Sequence, residues 1–260
     1  MPAETVPKVL PGPPSAGPCV LALDTSTERM ALGLQGPGGT WTLLADGGAA
    51  ASATLLPHIH TLLAQARLRL ADVEAIAFGC GPGAFTGLRT ACAVAQGLGL
   101  GLARPLLPID SLLIVAEDAR AQGAQGAPHG AALEVGVAMD ARMDEVYAGR
   151  YRWHEGRWRV LQAPMLLGLP ALAEAWAEQP RQLLAGSALA AFGPRLALPA
   201  SCPRIDTEAD RACALLRLAV QAALAGEGVD AAAALPLYLR DKVALTTHER
   251  ELVRATAAAA

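Results

Sequence analysis

A chain of 260 residues, 53% apolar but only 4% aromatic, has material for one large or two small cores built mostly of Ala, Leu and Val. Its formal charge of −3 argues against nucleic-acid binding through an overall basic surface and leaves only a local patch open. Five cysteines, at 19, 80, 92, 202 and 213 with no CxxC pair, fit reduced thiols of a cytoplasmic protein rather than a disulfide frame or zinc site. Residues 1–18 hold six prolines and no hydrophobic run, and are expected to form a disordered Pro-rich arm rather than a signal peptide. Residues 19–27 read as a buried strand ending in a polar turn at Asp24, Thr25 and Ser26. A second strand spans 29–35, and Pro37-Gly38-Gly39 turns the chain into a third over 40–44. Asp24, with hydroxyl residues behind it, suits a phosphate or a metal-bound water, and equally suits a tight turn. Residues 45–54 are small and polar and are expected to be a mobile loop. The spacing of Ile59, Leu62, Leu63 and Ala66 predicts a helix over 55–68. His58 and His60 lie about 200° apart on such a helix and do not form a metal pair.

A strand over 73–78 leads into Gly79-Cys80-Gly81-Pro82-Gly83-Ala84-Phe85-Thr86-Gly87-Leu88-Arg89, and a helix follows over 90–103, with Thr86 placed to cap it. Strand, glycine-rich turn and helix N-terminus can offer free N–H groups to an anion, or can let helix and strand pack closely. The loop matches neither GxxxxGK(S/T) nor an intact GxGxxG. The helix, bounded by Arg89 and Arg104, is shorter than the roughly 20 residues of a membrane span, so no membrane contact is expected. Gly97, Gly99 and Gly101 inside it cost up to about 1 kcal/mol each, which points to close packing against another helix, in this chain or a partner.

A strand over 105–109 ends a first lobe, 19–110. Asp110 or Ser111 caps a helix over 112–120, and 123–130 is a loop. Strands over 133–140, 145–151 and 157–162 then repeat the opening order of the first lobe. A helix over 170–178, a strand over 182–185 and a helix over 189–198 follow. Thr207 is placed to cap a helix to Ala225, in which Cys213, Leu216, Val220 and Leu224 fall at core spacing and after which Gly226 stops the chain. The second lobe is thus 111–230, and residues 231–260 form a tail that partly packs back.

Four segments in order resemble the TsaB (YeaZ) family: Leu21-Ala22-Leu23-Asp24-Thr25-Ser26-Thr27, Gly81-Pro82-Gly83-Ala84-Phe85-Thr86-Gly87-Leu88-Arg89, Met139-Asp140-Ala141-Arg142-Met143-Asp144-Glu145-Val146-Tyr147 and Pro236-Leu237-Tyr238-Leu239-Arg240. The resemblance covers about residues 19–245. It implies an α/β fold of the actin/Hsp70/sugar-kinase type, two lobes each built on a duplicated mixed sheet with flanking helices. It also implies a non-catalytic partner of TsaD, the protein that holds metal and nucleotide and forms threonylcarbamoyladenosine on tRNA beside the anticodon. TsaE, an ATPase, docks on that pair; alone, such chains form homodimers through much the same surface. No tightly bound cofactor is implied, with ATP or ADP only within the complex, and tRNA is met indirectly. In this chain the matching partner helices would be 55–68 and 88–102, with Leu55, His58, Ile59, Leu62, Leu88, Cys92, Ala95 and Gly99 as interface residues. Asp24, Thr25, Ser26, Gly81, Pro82, Gly83, Phe85, Thr86, Gly87 and Arg89 form the motif loop. Asp140, Arg142, Glu145 and Tyr147 form a second-lobe motif. One departure is that Ala51-Ser52 stands where the family has His-Ser.

An ATP-dependent phosphotransferase of the same fold is the alternative, with Asp24 positioning a metal-bound water and Asp140 as second acid. Asp140 equally suits a turn. The older glycoprotease label finds no HExxH and no nucleophile–base pair. Arg150, Arg152, Arg157 and Arg159 alternate on strands and share a face, which admits direct tRNA contact or simple solvation.

Overall fold

A computed structural model describes residues 8–10, 17–123, 132–177, 182–198 and 202–240. The first lobe comprises β1 (Lys8–Leu10), β2 (Val20–Asp24), β3 (Arg29–Gly36), β4 (Gly39–Asp46), α1 (Ala51–Ala66), β5 (Ala75–Gly81), α2 (Phe85–Leu102) and β6 (Leu106–Asp110). α3 (Ser111–Gly123) leads to β7 (Leu133–Asp140), β8 (Glu145–His154), β9 (Arg157–Gly168), α4 (Leu169–Trp176), β10 (Leu183–Ala185), α5 (Ala188–Phe192), β11 (Arg204–Ile205) and α6 (Arg211–Ala225).

The two sheets repeat one plan. In the first, β2, β3 and β4 form an antiparallel meander, and β5 and then β6 join β2 in parallel, with β1 added at the far edge. In the second, β7, β8 and β9 form the meander, and β10 and then β11 join β7 in parallel. This is the duplicated mixed-sheet architecture of the actin/Hsp70/sugar-kinase class.

Every residue of β2 is buried because both faces of its sheet are covered. Leu21 and Leu23 pack into the core beneath α1 and α2, with Leu55, Ile59, Leu62, Cys92 and Ala95. Val20 and Ala22 face α6 through Leu215, Leu216 and Ala219. A Cβ at Gly33 would lie 2.9 Å from Leu216 Cβ, so this glycine lets α6 lie close on β3. In the second lobe α4 and α5 cover one face of the sheet through Leu169, Leu172, Trp176 and Ala188, and α3 covers the other through Leu112, Val115 and Ala119. α3 and α6 therefore pack together between the two sheets.

Several expectations are corrected. Lys8–Leu10 pairs with β4 rather than lying wholly in a disordered arm; residues 1–7 and 11–16 lie outside the described residues. The expected loop at 45–54 is mostly structured, because β4 runs to Asp46 and α1 begins at Ala51 and continues through Pro57. α6 begins at Arg211, capped by Asp210, whose side chain accepts from Cys213 N–H; Thr207 is not the cap. Of its expected core positions, Leu224 is 69% exposed. α6 was assigned to the second lobe by position, yet it packs on the first sheet. The short β11 and a 3-10 turn at Gly193–Leu196 were not anticipated. Of the loop expected at 123–130, Gly123 is instead the last residue of α3, and 124–130 lie outside the described residues, as does the tail beyond Arg240.

Candidate functional site

The C-terminal end of β2 meets the glycine-rich loop, the N-terminus of α6 and the chain after Ala231 at one place. Asp24 is fully buried. Its Oδ1 accepts from Ser26 N–H at 2.7 Å, and its Oδ2 accepts from Arg211 Nε at 2.7 Å. Arg211 also donates to Glu208 at 2.7 Å, to Ser26 Oγ at 3.1 Å and to Ser111 O at 3.4 Å. Burial opposes the charge on Arg211, but Asp24 and Glu208 hold it above the usual guanidinium value. The carboxylate that sequence reasoning places beside a metal-bound water is thus closed off by an ion pair within the chain.

Sequence reasoning missed Arg211. Its signal was present: Arg211, Leu215, Leu218 and Ala222 fall at i, i+4, i+7 and i+11, and all four are buried. A charged residue on an apolar stripe requires a buried counter-charge.

The glycine loop is shaped by close backbone packing. A Cβ at Gly87 would sit 1.7 Å from Thr25 O, and one at Gly83 would sit 2.6 Å from Ser26 O. Thr25 Oγ1 donates to Gly87 O at 2.7 Å, and Ala84 N–H donates to Ser26 O at 2.8 Å. Gly81, at φ +119°, donates to Ser111 Oγ, and the Gly81–Pro82 peptide is cis. Thr86 lies inside α2, whose first flanking residue is Ala84, and makes no capping bond.

The tail joins both lobes. Leu237 N–H donates to Cys80 O at 2.7 Å. Tyr238 packs on Phe85 with ring centroids 5.1 Å apart, Arg89 lies over Phe85 at 3.9 Å, and Arg89 Nε donates to Tyr238 Oη. Arg240 pairs with Glu145 at 2.6 Å and donates to Ala141 O at 2.9 Å. The second-lobe motif forms the turn that receives this arginine. Asp140 Oδ1 accepts from Arg142 N–H at 2.8 Å, a turn-capping bond. Arg142, Met143 and Asp144 all have φ between 57° and 67°. Arg142 reaches Glu28 of the first lobe at 3.7 Å, and Tyr147 lines the cleft beside this turn. Between the lobes lies a cleft of about 600 Å³, lined by the motif loop, the 139–143 turn and residues 237–240. Its wall includes Met139, Met143, Leu44, Leu88 and Leu237 as well as Asp140 and Ser187.

The expected interface residues are placed differently from the sequence expectation. Leu55, Ile59, Leu62, Leu88, Cys92, Ala95 and Gly99 are buried in the chain's own first-lobe core or against its own strands, and only His58 is partly exposed. A Cβ at Gly99 would meet Leu106 at 2.8 Å and Ala231 at 3.1 Å, so this glycine serves packing within the chain. The outward faces of α1 and α2 carry Leu56 (45% exposed), Leu100 (64% exposed), His60, Gly97 and Gly101, and a Cβ at either glycine would meet nothing within 4 Å. Among the described residues no three His, Cys, Asp or Glu side chains come together as a metal site, and no helix is long and apolar enough to cross a membrane.

Comparison with known proteins gives a consistent set of relatives. The model of a family described as TsaD, tRNA N6-adenosine threonylcarbamoyltransferase, matches residues 48–199. The tRNA threonylcarbamoyladenosine biosynthesis protein TsaB of Escherichia coli is 36% identical over 150 residues, covering 54% of this chain and 58% of that protein. The protein of the same name from Haemophilus influenzae is 39% identical over 128 residues, covering 49% and 51%. The chain thus spans little more than half the length of the curated relatives it matches. The solved structure of YeaZ from Pseudomonas aeruginosa superposes with a TM-score of 0.74 at 35% identity, covering 85% of this chain and all of that one.

Proposed function

Since the chain belongs to the TsaB (YeaZ) family, we propose that it is a non-catalytic subunit that pairs with a TsaD-type transferase in forming threonylcarbamoyladenosine on tRNA. The observation that carries the non-catalytic reading is the Asp24–Arg211 ion pair at 2.7 Å, with Asp24 fully buried. A phosphotransferase of this fold needs an acid at that strand end to reach a metal-bound water. Here both carboxylate oxygens are engaged by the chain itself. Asp140, the other acid considered, caps its own turn.

The partner surface in this reading is the outward face of α1 and α2. Leu56 and Leu100 supply exposed apolar contact, and Gly97 and Gly101 permit close approach of a facing helix. The same face serves a homodimer when the chain is alone. A TsaE-type ATPase docks on the mixed pair, nucleotide enters only with these partners, and the pair works in the cytoplasm.

Nucleotide turnover tests the reading. The purified chain should not hydrolyse ATP, and Asp24→Asn should change stability without changing any residual rate. Turnover by the chain alone that disappears in Asp24→Asn would assign it to the phosphotransferases instead.

A further inference from the structure

We propose that the arginine face of the β8–β9 hairpin binds the phosphate backbone of RNA. The proposal rests on the role in tRNA modification given above, which supplies the RNA. It goes further in giving this chain its own contact with that RNA.

The register of the hairpin sets Arg152 directly opposite Arg159 and His154 opposite Arg157. Arg150 lies opposite Gln162 on the same side. Cross-strand neighbours sit about 5 Å apart and alternate residues along a strand about 6.7 Å apart, so the guanidinium groups form a short two-row stripe. Like charges directly opposite each other destabilise a hairpin. One carboxylate from the neighbouring strand relieves part of this: Glu134 of β7 accepts from Arg152 and from Arg150, the latter at 3.3 Å. Arg157 and Arg159 are exposed, and among the described residues neither has an ion-pair partner. Arg150 is nearly buried beside Glu134, so a chain with a net charge of −3 presents Arg152, Arg157 and Arg159 as the accessible cations of this strip.

The other side of the hairpin holds that strip in place. Tyr151, Trp153 and Trp158 point the opposite way, toward α3. Trp158 Nε1 donates to the buried Glu117 at 3.0 Å, and Arg120 lies 4.3 Å over the Trp153 ring. Trp153 and Trp158 pack at 5.4 Å. β9 is the edge of its sheet. α4 packs on this sheet face with Leu169 and Leu172 in one cluster with Val146 and Ala148, near the start of β8. The guanidinium fork matches two phosphate oxygens at once. The strip offers one exposed leucine, Leu161, and no aromatic anchor, unlike the core of a protein–protein interface. No residue of α1 or α2 contributes to it.

The test uses the chain mixed with its TsaD-type partner. Complex mass is read by light scattering, and tRNA affinity by fluorescence anisotropy across a salt series. The double variant Arg157→Gln/Arg159→Gln should keep the complex mass and weaken tRNA binding about tenfold or more. Its slope of log affinity against log salt should fall by about 1.5, the value for two lost phosphate contacts. Arg157→Lys/Arg159→Lys should restore most of the slope, and Arg69→Gln, on a different surface, should change nothing. Unchanged affinity and slope in the double glutamine variant would overturn the inference and leave the assembly role standing. Loss of complex mass with unchanged tRNA affinity would make the strip a protein-docking surface, and would also overturn it. If the wild-type chain forms no complex, the assembly role fails, and the same titration on the chain alone decides. A weaker, flatter double variant then supports the RNA contact, and equal or absent binding overturns it.

Discussion

At the end of β2, Asp24 and Arg211 form a buried ion pair in which the chain itself engages both carboxylate oxygens. Both are buried and hydrogen-bonded to further groups, so removal of either leaves a charge in the interior. Asp24→Ala should lower stability by about 3–5 kcal/mol in denaturant unfolding, the usual loss when one member of a buried pair is removed. A loss below about 1 kcal/mol would mean that solvent reaches the arginine. The thiols follow the same logic. Burial, with Glu74 and Asp72 nearby, pushes Cys19 up to about 11. Burial pushes Cys80 and Cys213 up to about 12, assisted by Asp110 and Asp210 respectively. At pH 8 these three should resist iodoacetamide in the native protein and react once it is unfolded, as peptide mass mapping would show.

At the scale of elements, α2 divides its glycines between two tasks. Gly99 fits against Leu106 and Ala231, whereas Gly97 and Gly101 face open space. Gly99→Ala should therefore destabilise the chain by about 1–3 kcal/mol through overpacking. Gly97→Ala should leave it unchanged or up to about 1 kcal/mol more stable through helix propensity. Thermal melts of the two variants distinguish these outcomes, and equal losses would contradict the division. The junction of α3, α6 and β9 gives a pH prediction. Burial opposes the charge on Glu117, but Arg120 and Arg217 hold its carboxyl below the usual range. Its folded pKa is thus depressed, so its stabilisation is full above the ordinary carboxylate value and is lost as pH falls through the folded value. Arg217 is 39% exposed, which screens its share. Glu117→Gln should cost about 2 kcal/mol at pH 7 and less in acid; a loss that is constant with pH would contradict the assignment.

Over the whole molecule, strand periodicity and turn residues made the duplicated plan legible. The span Leu133–Asp140 is observed as expected, and both three-strand openings are present. Less legible was whatever depends on distant partners. α6 follows the second lobe in sequence yet covers the first sheet, because its apolar face complements β2 and β3, and no local signal records that choice. The motif residues were visible, but their roles were not. The glycines at 83 and 87 answer to the backbone of Thr25 and Ser26, about 60 residues away, and Arg89 answers to Tyr238. The two first-lobe helices were correctly found as helices, while the residues chosen on them as a partner surface were mostly those of the apolar stripe, which faces the chain's own core. An amphipathic pattern identifies the inward face; what it leaves outward is here Leu56, Leu100, Gly97 and Gly101, the surface proposed for the partner.

The central claim, that this chain works as an assembly subunit through the outward face of α1 and α2, is tested most directly by light scattering of the chain with its TsaD-type partner. A mixed pair should replace the homodimer, and Leu100→Glu, at an exposed position that leaves the core untouched, should abolish both while the melting temperature stays within a few degrees of wild type. A mixed pair that forms equally well with Leu100→Glu would contradict the placement of the surface, and no mixed pair with the wild-type chain would contradict the assembly role itself.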